Sequence, residues 1–219
     1  MPGNNSIVVV KIDGTKIETD HIDGLAVDFH GENNSIEVYE PVAFTNSFIE
    51  TRDNLRVTIR AHSSVNNLRI SKMWGSVRPY PASGVAIGSN FTCNGAQMFV
   101  SPDEGNICIG NDCMFSFGIT LAVSDGHIIL DKKNRKILNR NKDILIGDHV
   151  WIGMNATILK GVHIGDNSVV GAHSVVAKRY KEGNIIIAGN PAGIVKKNIE
   201  WKRENYGEYM NIPAAERYS

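Results

Sequence analysis

Between residues 146 and 176 an aliphatic side chain returns at every sixth position: Ile146, Ile152, Ile158, Ile164, Val170 and Val176. The following residue is small in five of the six cases (Gly147, Gly153, Gly165, Gly171, Ala177). Val150, Ala156, Val162, Ser168 and Ser174 sit two places before the next aliphatic. Ile, Leu and Val make up about a quarter of the chain, so six in register by chance is roughly one in four thousand per starting point. A period of six fits neither the 3.6 of a helix nor a simple alternating strand. It fits a short strand and a tight bend, with Gly or Asn at the corner where a Cβ would clash. Stacked coils of this kind bury a continuous aliphatic column and pair each strand with the coil above and below. The chain is therefore expected to be an all-β solenoid.

The same beat runs upstream with breaks. Ile87, Cys93 and Phe99 keep it, then Ile109, Phe115 and Leu121, and earlier Ile36, Val42 and Phe48 in a segment poorer in glycine. These limits place the solenoid at about 25–192. Residues 1–24, with Ile7 to Ile12 before Asp13-Gly14, read as an N-terminal β cap. Residues 193–219, with Glu200 to Glu204, read as a short C-terminal helical extension.

Insertions into a solenoid usually mark its binding face. One lies at Ser101 to Asn106. The other is longer: from Leu121 the beat would fall on His127, yet it resumes only near Ile144 to Ile146, so a loop of about 125–143 leaves the coil. That loop holds Lys132, Lys133, Arg135, Lys136, Arg140 and Lys142, in a chain whose 23 Lys+Arg and 23 Asp+Glu cancel. Zero net charge excludes a global field for nucleic acid or an anionic membrane, so an anionic partner must be met locally. The longest apolar runs (Ile7 to Val10, Ile185 to Ala188) fall far short of the roughly 20 residues of a membrane span. No basic stretch precedes a hydrophobic one at the start, and the expected location is cytoplasmic. Three cysteines without a CxxC pair (Cys93, Cys108, Cys113) read as free thiols.

The run from Ile146 to Val176, with IGDHVWIG and GVHIGDNSVVGAHSVV, followed by AGNPA at Ala188 to Ala192, resembles the hexapeptide-repeat acyltransferases. The resemblance implies a left-handed parallel β-helix of triangular section, against the usual right-handed crossover, assembled as a homotrimer. Within the family the likeness falls on bacterial capsular polysialic acid and sugar O-acetyltransferases. These place a catalytic histidine in a loop and a tryptophan twenty-four residues later, and His127 and Trp151 match that spacing. Galactoside-type enzymes share it, so it argues for the chemistry more than for one sugar. Asn94 resembles their acceptor-binding asparagine, and Asp103 in the shorter loop is placed with the same substrate site.

Moving an acetyl group from a thioester to an alcohol needs a base, because a sugar hydroxyl is protonated at neutral pH. An imidazole, with an ordinary pKa near 6.5, suits that task, and His127 is the candidate. Asp125 is expected either to form the turn or to orient the imidazole beside the substrate. His149, His163 and His173 fall between inward positions and are expected on exposed coil faces. The tetrahedral intermediate needs an oxyanion donor, and Trp151 offers its indole N–H, its backbone N–H or only a flat wall. The co-substrate is expected to be acetyl-CoA, its pantetheine arm along Gly153, Gly171 and Ala172. Asn190 and Pro191 would shape the adenine end, and Lys178, Arg179, Lys196 and Lys197 would meet the phosphates. No metal is expected: a zinc hydratase on this fold needs two histidines five residues apart, a spacing absent here. The function expected is acetyl-CoA-dependent O-acetylation of a sialic acid-containing cell-surface glycan. The alternatives are N-acetylation of a nucleotide-linked amino sugar and a structural solenoid without activity.

Overall fold

The structure, a computed structural model, describes residues 2–72 and 83–213. The chain winds into a left-handed parallel β-helix with three flat faces. Among the described residues the first face has nine strands, the second eight and the third seven. Leu55–Ile59 lies on the first face, Ser63–Asn66 on the second and Leu68–Lys72 on the third. The next strand, Ser83–Ile87, returns beside Leu55–Ile59 in parallel register, Ile59 against Ile87. Each face buries a continuous column of apolar side chains: Ile87, Ile109, Ile146 and Ile164 on the first, Cys93, Phe115, Ile152 and Val170 on the second, Met98, Leu121, Ile158 and Val176 on the third. All are buried.

Corners explain the glycines and much of the asparagine. Asn90, Asp112, His149, Asn167 and Asn184, at the edge between first and second faces, have φ of 57°, 56°, 52°, 57° and 57°. Asn67, Asn155 and His173 do the same between second and third faces. Asn, Asp and His tolerate this left-handed conformation best among residues with a Cβ. His149 and His173 are thus corner residues, and only His163 sits within a strand, His163–Ile164 of the first face. Gly88 and Gly165, just after inward isoleucines, donate N–H bonds to Ile109 O at 2.9 Å and Tyr180 O at 2.7 Å of the next coil. A Cβ on Gly165 would lie 2.6 Å from Glu182 O, a backbone atom that cannot swing away. Gly165→Ala is expected to cost about 1–3 kcal/mol, seen as a lower urea midpoint; an unchanged midpoint would mean that the coils can part.

Three positions depart from the sequence beat. Phe99, Val42 and Phe48 point outward or lie at the rim, and Met98, Phe44 and Ile49 fill the inward sites instead. The early strands have four or five residues and turn two or three side chains inward each, as in Leu55, Val57 and Ile59. The coil lengthens accordingly: Val38 pairs with Ile59, an offset of 21, where Ile146 pairs with Ile164, an offset of 18.

At the N-terminus Ser6–Val10 joins the first face in parallel with Ser35–Tyr39, and Lys16–Thr19 folds back on it antiparallel. At the other end Ala192–Lys197 turns back antiparallel on Ile185–Gly189 of the second face. The C-terminal helix is confined to Tyr206–Asn211, begun by an Asn205/Glu208 capping box. Glu200 to Glu204, expected to be helical, is irregular because Trp201 is drawn down onto the second face, where it is 7% exposed.

Candidate active site

The long insertion leaves the coil after Ile119–Ala122 on the third face and rejoins at Ile144–Ile146 on the first. It folds as a small two-stranded arm. Leu130 bridges Ile137, Leu138 N–H donates to Ile129 O at 2.8 Å, and the tip turns at Arg135, φ 60°. Ile128, Ile129 and Leu138 stand exposed on this arm. The base of the arm is braced. Asn139 Nδ2 donates to Asp125 Oδ2 at 2.8 Å and to the main-chain O of His127 at 2.7 Å, while Lys160 Nζ reaches Asp125 Oδ2 and, at 2.9 Å, Asn139 O. The hydrogen bond from Lys160 holds the Asp125 carboxyl below the ordinary carboxylate range. Asp125 is therefore spent on the loop, and the imidazole-orienting role considered for it is not seen. The His127 imidazole is exposed and makes no hydrogen bond among the described residues.

Asp103 lies on the same edge, in the shorter insertion. The two insertions are tied together by Asn141 Nδ2 donating to Ser101 Oγ at 2.7 Å. Asn94 does not join them: it sits at the edge between second and third faces, its carbonyl accepting from Asn67 Nδ2 at 3.2 Å. Trp151 points outward from the second face in Trp151–Ile152, 38% exposed. Its backbone N–H donates to Ser168 O at 3.0 Å, so that donor is consumed by the coil ladder. The indole N–H remains unpaired among the described residues. A single prism thus keeps His127, Asp103 and Asp125 on one edge, and Trp151 and Asn94 on or beside another face.

Sequence reading missed what flanks Trp151. Trp201 stacks on His149 with ring centroids 3.9 Å apart and an interplanar angle of 10°, and its ring lies 6.1 Å from that of Trp151. Trp201 Nε1 donates to His149 O at 2.9 Å, and His149 contacts Asp112 Oδ2 through Nδ1 at 2.5 Å. Arg203 completes a strap, donating to Asp112 Oδ1 at 2.8 Å, Thr92 Oγ1 at 2.9 Å, Asn90 O at 3.0 Å and Cys113 O at 3.1 Å. Burial pushes the Asp112 carboxyl up, but the hydrogen bonds from His149 and Arg203 outweigh it and hold it below the ordinary value. A corner histidine flanked by a corner aspartate on the coil before it was the available signal; the partners 52 and 91 residues downstream gave none.

Gly153, Gly171, Ala172, Asn190 and Pro191 follow one another along the edge between second and third faces. The N–H groups of Gly153 and Gly171 donate to Val170 O and Ile187 O, both at 2.8 Å. They cannot also pair a pantetheine arm; their carbonyls and the Ala172 N–H can. Gly153 itself is a packing residue, since its Cβ would lie 2.7 Å from Ala172 N. The basic cluster does not form as one group. Lys178 and Arg179 lie beside the edge between third and first faces, Arg179 Nε donating to Gly161 O at 3.1 Å. Lys196 and Lys197 are carried off on the returning strand, where Lys197 pairs with Glu182 at 2.9 Å. Cys93 and Cys113 are buried in the core, where burial pushes both thiols up to about 12. Burial raises Cys108 too, so none is a ready thiolate nucleophile. Among the described residues no group of three His, Cys, Asp or Glu is placed to hold a metal, and no helix is long and apolar enough to cross a membrane.

A left-handed β-helix built on a hexapeptide repeat is the fold of a class of transferases. The family described as "Bacterial transferase hexapeptide (six repeats)" matches residues 143–178, and the chain belongs to the hexapeptide-repeat acyltransferase family. It is 37% identical over 180 residues to the polysialic acid O-acetyltransferase of Neisseria meningitidis, a match covering 82% of this chain and 80% of that protein. To the polysialic acid O-acetyltransferase of Escherichia coli O1:K1 / APEC it is 37% identical over 141 residues, 64% of this chain, and the match spans 45% of that protein's length. The solved structure of the polysialic acid O-acetyltransferase OatWY superposes with a TM-score of 0.78 at 31% identity, covering 98% of this chain and 96% of that one.

Proposed function

We propose that this protein is an acetyl-CoA-dependent O-acetyltransferase of a sialic acid-containing cell-surface glycan, acting in the cytoplasm as a homotrimer. The observation that carries the reading is the free imidazole of His127, lifted out of the coil on a loop whose backbone Asn139, Asp125 and Lys160 fix beneath it. Such a group can take a proton without first breaking an internal bond. In direct transfer the sugar hydroxyl oxygen attacks the thioester carbon while His127 accepts its proton. The tetrahedral intermediate then expels the CoA thiolate, which takes the proton back from the imidazolium. The raised thiols of Cys93 and Cys113 speak against an acyl-enzyme.

The trimer has a geometric motive. His127 and Trp151 lie on different parts of one prism, so a neighbouring chain that lays its own Trp151 and Asn94 against the arm completes the site. The Trp151 indole N–H is then the oxyanion donor or the acceptor wall. The acidic acceptor is supported by Lys132, Lys133, Arg135 and Lys136 at the arm's tip, which form no ion pair among the described residues, and by the polysialic acid named for both relatives. CoA would lie along Gly153, Gly171 and Ala172.

The test is a panel of acceptors offered with acetyl-CoA: sialic acid, its oligomers and polymer, neutral galactosides and nucleotide-linked amino sugars. Gain of one base-labile acetyl group on the sialic acid acceptors, read by mass, is the expected result. Transfer confined to an amine, giving a base-stable product, would replace this reading with N-acetylation.

A further inference from the structure

Outward side chains of the third face line up across coils, because parallel register sets Phe48 against Arg69, Arg69 against Gln97, Gln97 against Thr120 and Thr120 against Thr157. Beside this row, at the edge that carries Asn94, runs an open groove of about 370 Å³ lined by Asn67, Arg69, Gly95, Gln97, Gly118 and Thr120. That volume lies within the roughly 300–1,000 Å³ of small-molecule sites. Gly118 keeps the floor low: at φ 71° it has no side chain to raise, and a Cβ there would strike Asn155 Oδ1.

Asn67 is committed, its amide bonded to the Asn94 carbonyl and to Asn46, but three other polar groups of the groove are uncommitted among the described residues. Arg69 stands over the Phe48 ring at 5.9 Å and forms no ion pair among the described residues. The Gln97 amide and the Thr120 hydroxyl form no side-chain hydrogen bond there either. Coils are spaced about 4.8 Å apart, so these three groups span roughly 10 Å in a line parallel to the prism axis. A guanidinium fork followed by an amide and a hydroxyl matches a carboxylate followed by hydroxyls on a linear sugar chain.

We propose that this groove is a subsite for sialic acid residues next to the one being acetylated, with Arg69 holding a carboxylate and Gln97 and Thr120 holding hydroxyls. It rests on the functional reading above and deepens it by assigning the hold on neighbouring sugars to named residues of the third face. Because Gly95 directly follows Asn94, the groove opens from the edge that carries Asn94.

The experiment titrates a sialic acid oligomer of several residues, and neutral dextran, into the unmodified protein without acetyl-CoA, by calorimetry. The oligomer is expected to bind and dextran not. Arg69→Ala is expected to weaken the oligomer roughly 10- to 100-fold, the range for a hydrogen bond to a charged group. Arg69→Lys should fall between, since it keeps the charge and loses the fork. Thr120→Trp should weaken binding by filling the groove, and Arg69, being exposed, keeps the test open should that variant fail to fold. Equal affinity across all variants, or no oligomer binding by the unmodified protein, overturns the subsite. Acetyl transfer onto sialic acid with Arg69-independent binding overturns the subsite alone. Arg69-dependent binding without transfer onto any sialic acid acceptor overturns the functional reading alone.

Discussion

Replacing His127 with alanine is expected to lower turnover by about 10²- to 10⁴-fold, the usual contribution of a positioned general base, while leaving CoA affinity unchanged. Two features make the loss clean. The imidazole has no hydrogen bond to forfeit among the described residues, and the loop is fastened through the His127 carbonyl, which alanine retains. The fold should therefore survive and the effect should appear in kcat. Paired measurements of CoA binding by calorimetry and of thiol release at saturating acceptor check it; wild-type turnover in the variant would sink the role assigned to His127. Asp125→Asn, which loosens the bond to Lys160 without touching the ring, should cost much less.

The second large effect is expected from the strap. Trp201→Ala removes a ring buried between His149 and Trp151. Truncation of buried tryptophan costs about 3–5 kcal/mol in cores, and with contacts concentrated on one side the lower end applies. The consequence is local: residues 198–205 should lift off the second face, and Lys202 and Arg203 should become cleavable by trypsin in the native protein. Trp151 would lose its flank, so activity should fall with the rise in cleavage. A variant that stays resistant and fully active would show that the strap is idle. Acid should release the same strap. Asp112 titrates below its ordinary value, so its stabilising pairing is complete above the unfolded carboxylate pKa of about 3.9 and is lost as pH falls through the lowered folded value. Asp112→Asn should remove that acid limb and leave behaviour near neutrality set by the remaining bonds.

The solenoid was legible because its period is imposed by geometry: a Gly165 that must let Glu182 approach leaves a mark in the sequence every coil. The register failed where strands lengthen, at Val42, Phe48 and Phe99, since a five-residue strand points several side chains inward and a six-residue count then drifts. The arm showed itself through the missing beat at His127. Its brace was not legible, because Lys160 lies in a regular hexad and gives no sign that it reaches Asp125. For the same reason Asp112, His149, Trp201 and Arg203 remained invisible as a group. Pairing across 52 to 113 residues follows from how the tail folds back, and the composition of Glu200 to Glu204 suggested a helix where side-chain docking prevails. The basic residues near the C-terminus misled in the opposite way, being close in sequence and separate in space.

Those displaced lysines bear on how the rod ends. A stack of parallel strands offers an open edge to any identical stack, the arrangement from which fibrils grow. Here Lys16–Thr19 on the first face and Ala192–Lys197 on the second run against the direction of the coils. A second rod arriving end-on meets strands of opposite polarity that carry Lys16, Glu18, Lys196 and Lys197. At these two sheet edges, one at each end of the rod, the returning strands act as stoppers against end-to-end accretion, while Leu25–Phe29, Val42–Thr45, Val175–Val176 and Arg179–Tyr180 are the outermost parallel strands of the other edges among the described residues.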